Sequence, residues 1–258
     1  MIKIAIDAMG GDFGPEPIIE GVVQALETEK FLPILVGNSE EIRSFLPPYY
    51  TDKVEIVEAS DVISMSDQAT NALKRKDSSI FKAVELVREK EADAVVSAGH
   101  SGATMTLATL RIGRLLHISK PALATLMPSV VATKTLVLDV GAVTDCTPQN
   151  LYEFGAMGEA YAQKILGIPS PKVGLLSNGS EDSKGNALTK EAFKLLKGLK
   201  GFVGNVEGRD IFNGNVNVVV CDGFTGNILL KTSEGVVSTI FTLMRQHIRK
   251  SLPAKIGA

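Results

Sequence analysis

Five glycine-bearing loops carry the residues of this chain that could do chemistry, and each follows a run of apolar residues. The first is Asp7-Ala8-Met9-Gly10-Gly11-Asp12-Phe13-Gly14. Next come Ser97-Ala98-Gly99-His100-Ser101-Gly102-Ala103 and Asp139-Val140-Gly141-Ala142. The last two are Ser177-Asn178-Gly179-Ser180-Glu181-Asp182-Ser183-Lys184-Gly185-Asn186 and Cys221-Asp222-Gly223-Phe224-Thr225-Gly226-Asn227. Glycine lets main-chain N–H groups come close to a ligand. Helix starts expected after His100 and Thr225 add positive dipole ends. Together these features suit an anion such as phosphate. Taken singly, each loop is as well explained by a tight strand-to-helix turn that uses glycine for positive φ. All five together favour a polar cleft.

The elements that must position these loops are legible as two alternating patterns. Near-continuous apolar runs at 2–6, 32–36, 54–57, 94–96, 136–140, 173–176, 202–206 and 216–220 predict strands buried on both faces of a mostly parallel sheet. Helical spacing predicts helices over 15–29, 78–89, 105–116, 149–166, 189–199 and 227–249. The alternation predicts an α/β fold, a three-layer α/β/α sandwich with right-handed crossovers. The carboxyl ends of parallel strands lie along one edge, so the five loops are expected to line a common crevice. We expect a single catalytic domain over residues 1–258. A C-terminal segment is expected to be missing, because an apolar helix runs into Arg245, Arg249, Lys250 and Lys255 and the chain stops without a closing strand. Residues 60–77 form the longest stretch without periodicity. Lys74-Arg75-Lys76 within it is either a solvated face or a contact for an anion or acidic partner.

Composition narrows the function. Lys plus Arg number 27 and Asp plus Glu 29, a net charge of −2, so no global field favours nucleic acid. Aromatics are 5% and Trp is absent, which leaves few base-stacking platforms. Two cysteines, Cys146 and Cys221, cannot make a disulfide framework, and a reduced cytoplasmic compartment is the simplest reading. The N-terminus reaches Asp7 too soon for a signal peptide, and no apolar run could span a bilayer. There is no G-x-x-x-x-G-K-[ST] or G-x-G-x-x-G, so nucleoside-triphosphate and dinucleotide binding lose support. Gly99-His100-Ser101-Gly102 is one residue short of a nucleophile elbow. With three histidines and no H-E-x-x-H, no metal site is expected, and no cofactor. Cys221 ends an apolar run and reads as core.

The opening Asp7-Ala8-Met9-Gly10-Gly11-Asp12 resembles the PlsX-type acyl-[acyl-carrier-protein]:phosphate acyltransferase family. Further similar stretches follow in order: Leu73-Lys74-Arg75-Lys76-Asp77-Ser78-Ser79, Ala92-Asp93-Ala94-Val95-Val96-Ser97-Ala98-Gly99, Pro121-Ala122-Leu123-Ala124, Lys184-Gly185-Asn186-Ala187-Leu188-Thr189-Lys190, Gly204-Asn205-Val206-Glu207-Gly208-Arg209-Asp210 and Asp222-Gly223-Phe224-Thr225-Gly226-Asn227. The resemblance covers nearly the whole chain. It implies transfer of a fatty acyl group from acyl carrier protein to inorganic phosphate for phospholipid synthesis. It also implies a fold related to phosphotransacetylases and isopropylmalate dehydrogenase-like proteins, and a homodimer. Three places depart from the family pattern. His100 stands where the family has Asn, Val143 where it has Asn, and Ser177-Asn178-Gly179 where it has Asn-x-Gly. The family also continues through a basic amphipathic hairpin and a closing strand. The basic end of this chain suggests peripheral membrane contact, though a helix packed on the sheet would look the same.

Phosphate is already a nucleophile, so the expected chemistry is direct attack on the thioester in a ternary complex. Asp7, Gly10, Gly11, Gly99, His100, Ser101, Gly102, Asp139, Asn186, Gly223, Thr225 and Asn227 are the expected phosphate and substrate binders. Lys184 or Arg209 supplies cationic charge. Asp12, Glu207 or Asp222 orients partners or handles a proton, and Glu207 with Arg209 is equally an ordinary ion pair. Two alternatives stay open: an acyl-coenzyme A phosphotransferase on the same scaffold, and a non-catalytic scaffold that binds carrier protein.

Overall fold

The computed structural model describes residues 1–250, and the chain divides into two units, Met1–Leu116 and His117–Ala258. Each has its own sheet, and both sheets are mostly parallel.

The N-terminal unit runs β1 (Ile2–Asp7), α1 (Pro15–Thr28), β2 (Phe31–Gly37), α2 (Ser39–Phe45), β3 (Glu55–Glu58), α3 (Ser79–Arg88), β4 (Ala94–Ser97) and α4 (Ser101–Leu107). Its strands lie in the order β3-β2-β1-β4, all parallel. Alternation along β1 builds two cores. Ala5 joins Ile34 and Val36 against Ala83 of α3. Ile6 joins Leu35 against Ile19 and Val22 of α1 and Ile42 of α2. Helices on both faces give three layers. Pro15 opens α1, where its fixed φ and missing N–H cost nothing. Asn38 caps α2 by accepting from the amides of Glu40 and Glu41.

The aperiodic stretch 60–77 is held by Arg75. Its guanidinium pairs with Asp61 and, at 2.7 Å, with Asp67, and it donates to the Val62 carbonyl. The middle of the basic cluster is thus an internal clamp, while Lys74 and Lys76 are exposed. The helix expected over 105–116 begins earlier, at Ser101. It loosens into a π-helical turn over Ala108–Ile112 and ends at Gly113, with φ +98°.

The C-terminal unit runs β5 (Ala124–Met127), β6 (Thr135–Leu138), α5 (Pro148–Lys164), β7 (Val173–Leu176), α6 (Ala187–Leu196), β8 (Phe202–Val206), α7 (Asp210–Asn213), β9 (Val218–Val220) and α8 (Gly223–Lys250). Strand order is β5-β6-β9-β7-β8, with only β5 antiparallel. Leu136, Leu138, Val173, Leu175, Val218 and Val220 pack on α5 and α6. Val137, Val219 and Val206 face Ile211 of α7 and Leu229 and Leu230 of α8. β6 stops at Leu138, two residues short of expectation, because Asp139 turns the chain. The Leu138–Asp139 peptide is cis. α8 starts at Gly223 rather than after Thr225, capped by Asp222. The expected basic end at Arg249, Lys250 and Lys255 lies outside the described side chains. Among the described residues no helix is long and apolar enough to cross a membrane.

Candidate active site

From β1 the chain moves to β2 on one side, while β4 is placed on the other, so the topological switch of the N-terminal sheet falls between β1 and β4. Ligands of open α/β sheets bind outside the carboxyl ends at such a point. The register sets Asp7 beside Ser97 there. The Ser97 hydroxyl donates to Asp7 Oδ2 at 2.7 Å and accepts the Gly99 N–H at 3.0 Å. Gly10 is pressed against both: a Cβ there would lie 2.6 Å from Asp7 Oδ2 and 2.8 Å from the Gly99 nitrogen. No other residue fits, and the turns after β1 and β4 are thereby locked together.

This turn leaves donors over. Asp7 is 3% exposed and takes one hydroxyl and a long contact from the Met9 N–H at 3.4 Å. Among the described residues nothing accepts from the amides of Gly10 or Gly11, and Gly10 is buried. A buried main-chain donor without a partner is rare and asks for one. Asp12 and Phe13 stand exposed beside it.

His100 has a local task. Its Nδ1 accepts the Ala103 N–H at 3.2 Å and caps α4, while Nε2 lies 2.9 Å from the Asp67 carbonyl. Those partners fit the tautomer with its proton on Nε2. An imidazole can thus occupy an N-cap position where the family pattern has Asn, and it also ties the turn to the clamped 60–77 stretch. Ser101 is exposed at the start of α4. A Cβ on Gly102 would lie 3.1 Å from the His100 ring.

In the C-terminal unit Asp139 holds the matching place at the end of β6, and it is fully buried. Its carboxylate accepts from the amides of Leu123 (2.9 Å), Gly141 (3.1 Å), Ala142 (2.9 Å) and Val143 (2.6 Å). Gly223 from the turn after β9 is pressed on it, since a Cβ would meet Asp139 Oδ2 at 2.7 Å. The Asp139 turn is closed by internal bonding. Val143 places its side chain in the core with Leu136 and Leu151, which accounts for an apolar residue there. Asp222 accepts from the Thr225 N–H (2.9 Å) and hydroxyl (2.7 Å), so both residues are engaged in capping α8. Asn227 is exposed on the first turns of α8, near Gly141.

The loops after β7 and β8 form a third gathering. Ser177 N–H bonds the Val206 carbonyl, and Asn205 donates to the Glu181 carbonyl at 2.8 Å. Asn186 caps α6 through the Thr189 N–H. Arg209 pairs with Glu207 at 2.7 Å, an exposed pair of small energetic weight. Lys184 is exposed and makes no ion pair among the described residues.

Neither thiol is set up as a nucleophile. Burial pushes Cys146 up to about 11, and pushes Cys221 higher still. Ser97 is the site residue that the sequence concealed. It lies inside a quoted loop, but only the β1–β4 register shows that its hydroxyl bridges Asp7 and Gly99.

Comparison with known proteins gives a consistent answer. The family model described as fatty acid synthesis protein matches residues 2–258. The chain is 84% identical over 258 residues to a phosphate acyltransferase of Sulfurovum sp. (strain NBC37-1), covering 100% of this chain and 78% of that protein. It is 62% identical, with the same coverage, to a phosphate acyltransferase of Campylobacter concisus (strain 13826). Among solved structures, a phosphotransacetylase from Streptococcus pyogenes superposes with a TM-score of 0.68 at 21% identity, covering 92% of this chain and 82% of that one. A phosphotransacetylase from Staphylococcus aureus gives 0.67 at 18%, with the same coverage. At these identities the structures speak for the fold alone.

Proposed function

The chain belongs to the fatty acid synthesis protein family of PlsX-type phosphate acyltransferases, and from that premise we propose that it moves a fatty acyl group from acyl carrier protein to inorganic phosphate, yielding an acyl phosphate for phospholipid synthesis. The family match over essentially the whole chain is the observation that carries this function. The unpaired amides of Gly10 and Gly11 support it. A cytoplasmic homodimer with peripheral membrane contact goes with the same proposal.

The chemistry needs little from side chains. A phosphate oxygen forms a bond to the thioester carbonyl carbon, the C–S bond breaks, and the thiolate of the carrier leaves. A thiol of pKa about 8.5 needs little acid assistance to depart. The difficult parts are holding phosphate in line, which is an entropic problem, and stabilising the tetrahedral oxyanion with fixed donors. We assign those donors to Gly10, Gly11, Gly99 and Gly102 main-chain groups with Ser101. Asp7 and Ser97 hold the turn in shape. In the C-terminal unit Lys184, exposed and in no ion pair among the described residues, is the cation whose part in turnover the substitution below tests, since Arg209 is already paired with Glu207.

The test mixes the purified protein with palmitoyl-acyl carrier protein and phosphate and follows phosphate-dependent thiol release. Release is the expected result. Release from coenzyme A thioesters alone would move the assignment to an acyl-coenzyme A phosphotransferase. Carrier binding without release would make the protein a scaffold. Lys184→Ala is expected to lower the rate more than a hundredfold with folding intact, and a near-wild-type rate would remove Lys184 from the mechanism.

A further inference from the structure

We propose that Arg75 is a positioning residue for the glycine turn after β4, acting through Asp67 and the imidazole of His100, an inference that rests on the function proposed above. The cap of α4 is an unusual one. Asparagine, aspartate and serine are the ordinary N-caps, and each presents an acceptor oxygen whatever its surroundings. A neutral imidazole has two forms, and only the one with a bare Nδ1 can accept the Ala103 N–H. Which form is taken depends on the partner of the other nitrogen. Here that partner is the Asp67 carbonyl, 2.9 Å from Nε2. A carbonyl only accepts, so it keeps the proton on Nε2 and leaves Nδ1 bare for the Ala103 N–H, 3.2 Å away.

The lock is as firm as that carbonyl is fixed, and Arg75 fixes it. Asp67 closes a short turn with Ser64 twice over. Its N–H donates to the Ser64 carbonyl at 3.0 Å, and its Oδ2 accepts the Ser64 N–H at 2.8 Å. Arg75 Nη1 donates to the same Oδ2 at 2.7 Å, while its other donors go to Asp61 and to the Val62 carbonyl. A rigid guanidinium fork reaches all three together; a lysine ammonium is a point charge on a flexible stem and does not reproduce that geometry. The far end of the relay is the donor set itself. Nδ1 takes the amide of Ala103, a fully buried residue, and the amides of Ser101 and Gly102 stay without acceptors among the described residues. Gly102 packs on the ring: a Cβ there would lie 3.1 Å from His100 Cε1 and 3.2 Å from Ala69 Cβ. A ring that turned over, or moved its proton to Nδ1, would release Ala103 and shift those two amides with it.

The test follows the ring and the anion separately. The tautomer of His100 is read by heteronuclear NMR of the ring nitrogens at pH 8, where an imidazole is ordinarily neutral, and His100→Asn identifies its signals. Affinity for inorganic phosphate is measured by calorimetry alongside kcat/KM for phosphate. Wild type is expected to show a protonated Nε2 and a bare Nδ1. Arg75→Lys is expected to populate the other tautomer and to lower phosphate affinity and kcat/KM at least fivefold. His100→Asn, whose cap has no tautomer to lock, is expected to stay within threefold of wild type. Adding Arg75→Lys to it is expected to change either value less than twofold, so the two substitutions are coupled rather than additive. Where Arg75→Lys disturbs folding, Asp67→Asn, which removes the charge facing Arg75, takes its place with the same expectations. A wild-type ring protonated on Nδ1 overturns the proposal. So does an equal loss from Arg75→Lys in both backgrounds, which would make the clamp a support of the fold alone. A loss beyond threefold in His100→Asn also overturns it, because the imidazole would then be touching the anion. If the tautomer answers to Arg75 but no thioester is cleaved, the proposed function fails and the lock stands. If cleavage depends on phosphate while Arg75→Lys leaves tautomer and rate unchanged, the lock fails and the function stands.

Discussion

Asp7 and Asp139 occupy matching positions in two sheets and do opposite things with them. Each is a buried aspartate at the carboxyl end of an interior strand, and each has a glycine pressed on its Oδ2, Gly10 from Asp7's own turn and Gly223 from the turn after β9. Asp139 collects four amides and seals its own turn. Asp7 is satisfied mainly by the Ser97 hydroxyl, and the amides of Gly10 and Gly11 stay without partners among the described residues. The same local device consumes the turn's amides in one unit and leaves them free in the other. The partner of the carboxylate decides which: a hydroxyl supplied across the sheet releases main-chain donors, whereas a carboxylate left alone takes them.

The largest expected effect follows from removing the closed turn. Asp139→Ala takes the acceptor from four amides, one of them buried and the others on part-buried bonds, and is expected to cost roughly 2–4 kcal/mol in urea unfolding. A loss below 1 kcal/mol would show that the turn holds its shape without its carboxylate. Gly10→Ala tests the open turn. Its Cβ drives against Asp7 and the Gly99 backbone, and phosphate-dependent turnover is expected to fall at least a hundredfold, about 2.7 kcal/mol of transition-state stabilisation. Unaltered turnover would divorce this turn from the chemistry.

Acid response separates the turns from their surroundings. Arg75 beside Asp61, and Arg111 beside Glu85, hold those carboxylates below their usual range. A depressed carboxylate contributes stability that is complete above its unfolded value of about 4 and is lost as pH falls through the folded value. The N-terminal unit should therefore weaken below about pH 4, and Asp61→Asn should flatten that decline in a circular-dichroism titration. An unchanged profile would place the acid sensitivity elsewhere. The smallest effect concerns the thiols. With Cys146 at about 11 and Cys221 higher, neither should react with a disulfide reagent at pH 8 in the native protein. Cys146→Ser and Cys221→Ser should keep full activity.

Much of this architecture could be read from the residues. Long apolar runs such as 32–36 and 173–176 named their strands, and the glycine loops were visible at once. What escaped did so for identifiable reasons. β5 is a short antiparallel edge strand of mixed composition, and α2 and α7 span at most two turns, too few for periodicity to register. β6 ends early because the Asp139 carboxylate captures the amides two to four residues on, which no apolar run registers. Thr225 and Asp222 are expected site residues that also cap α8, a second role hidden in the sequence because capping uses the same residue types as anion binding. Ser97 stayed hidden because its role depends on strand register.

A main-chain proton held by a buried carboxylate trades with solvent deuterium only when the structure around it opens. The protons on Gly141, Ala142 and Val143 should thus be among the slowest to be replaced in this protein. Those on Gly10 and Gly11 have no acceptor among the described residues, and the anion proposed to bind there would slow their exchange. Deuterium uptake at one glycine pair is therefore a direct gauge of occupancy, with the Asp139 turn as a built-in reference that does not respond.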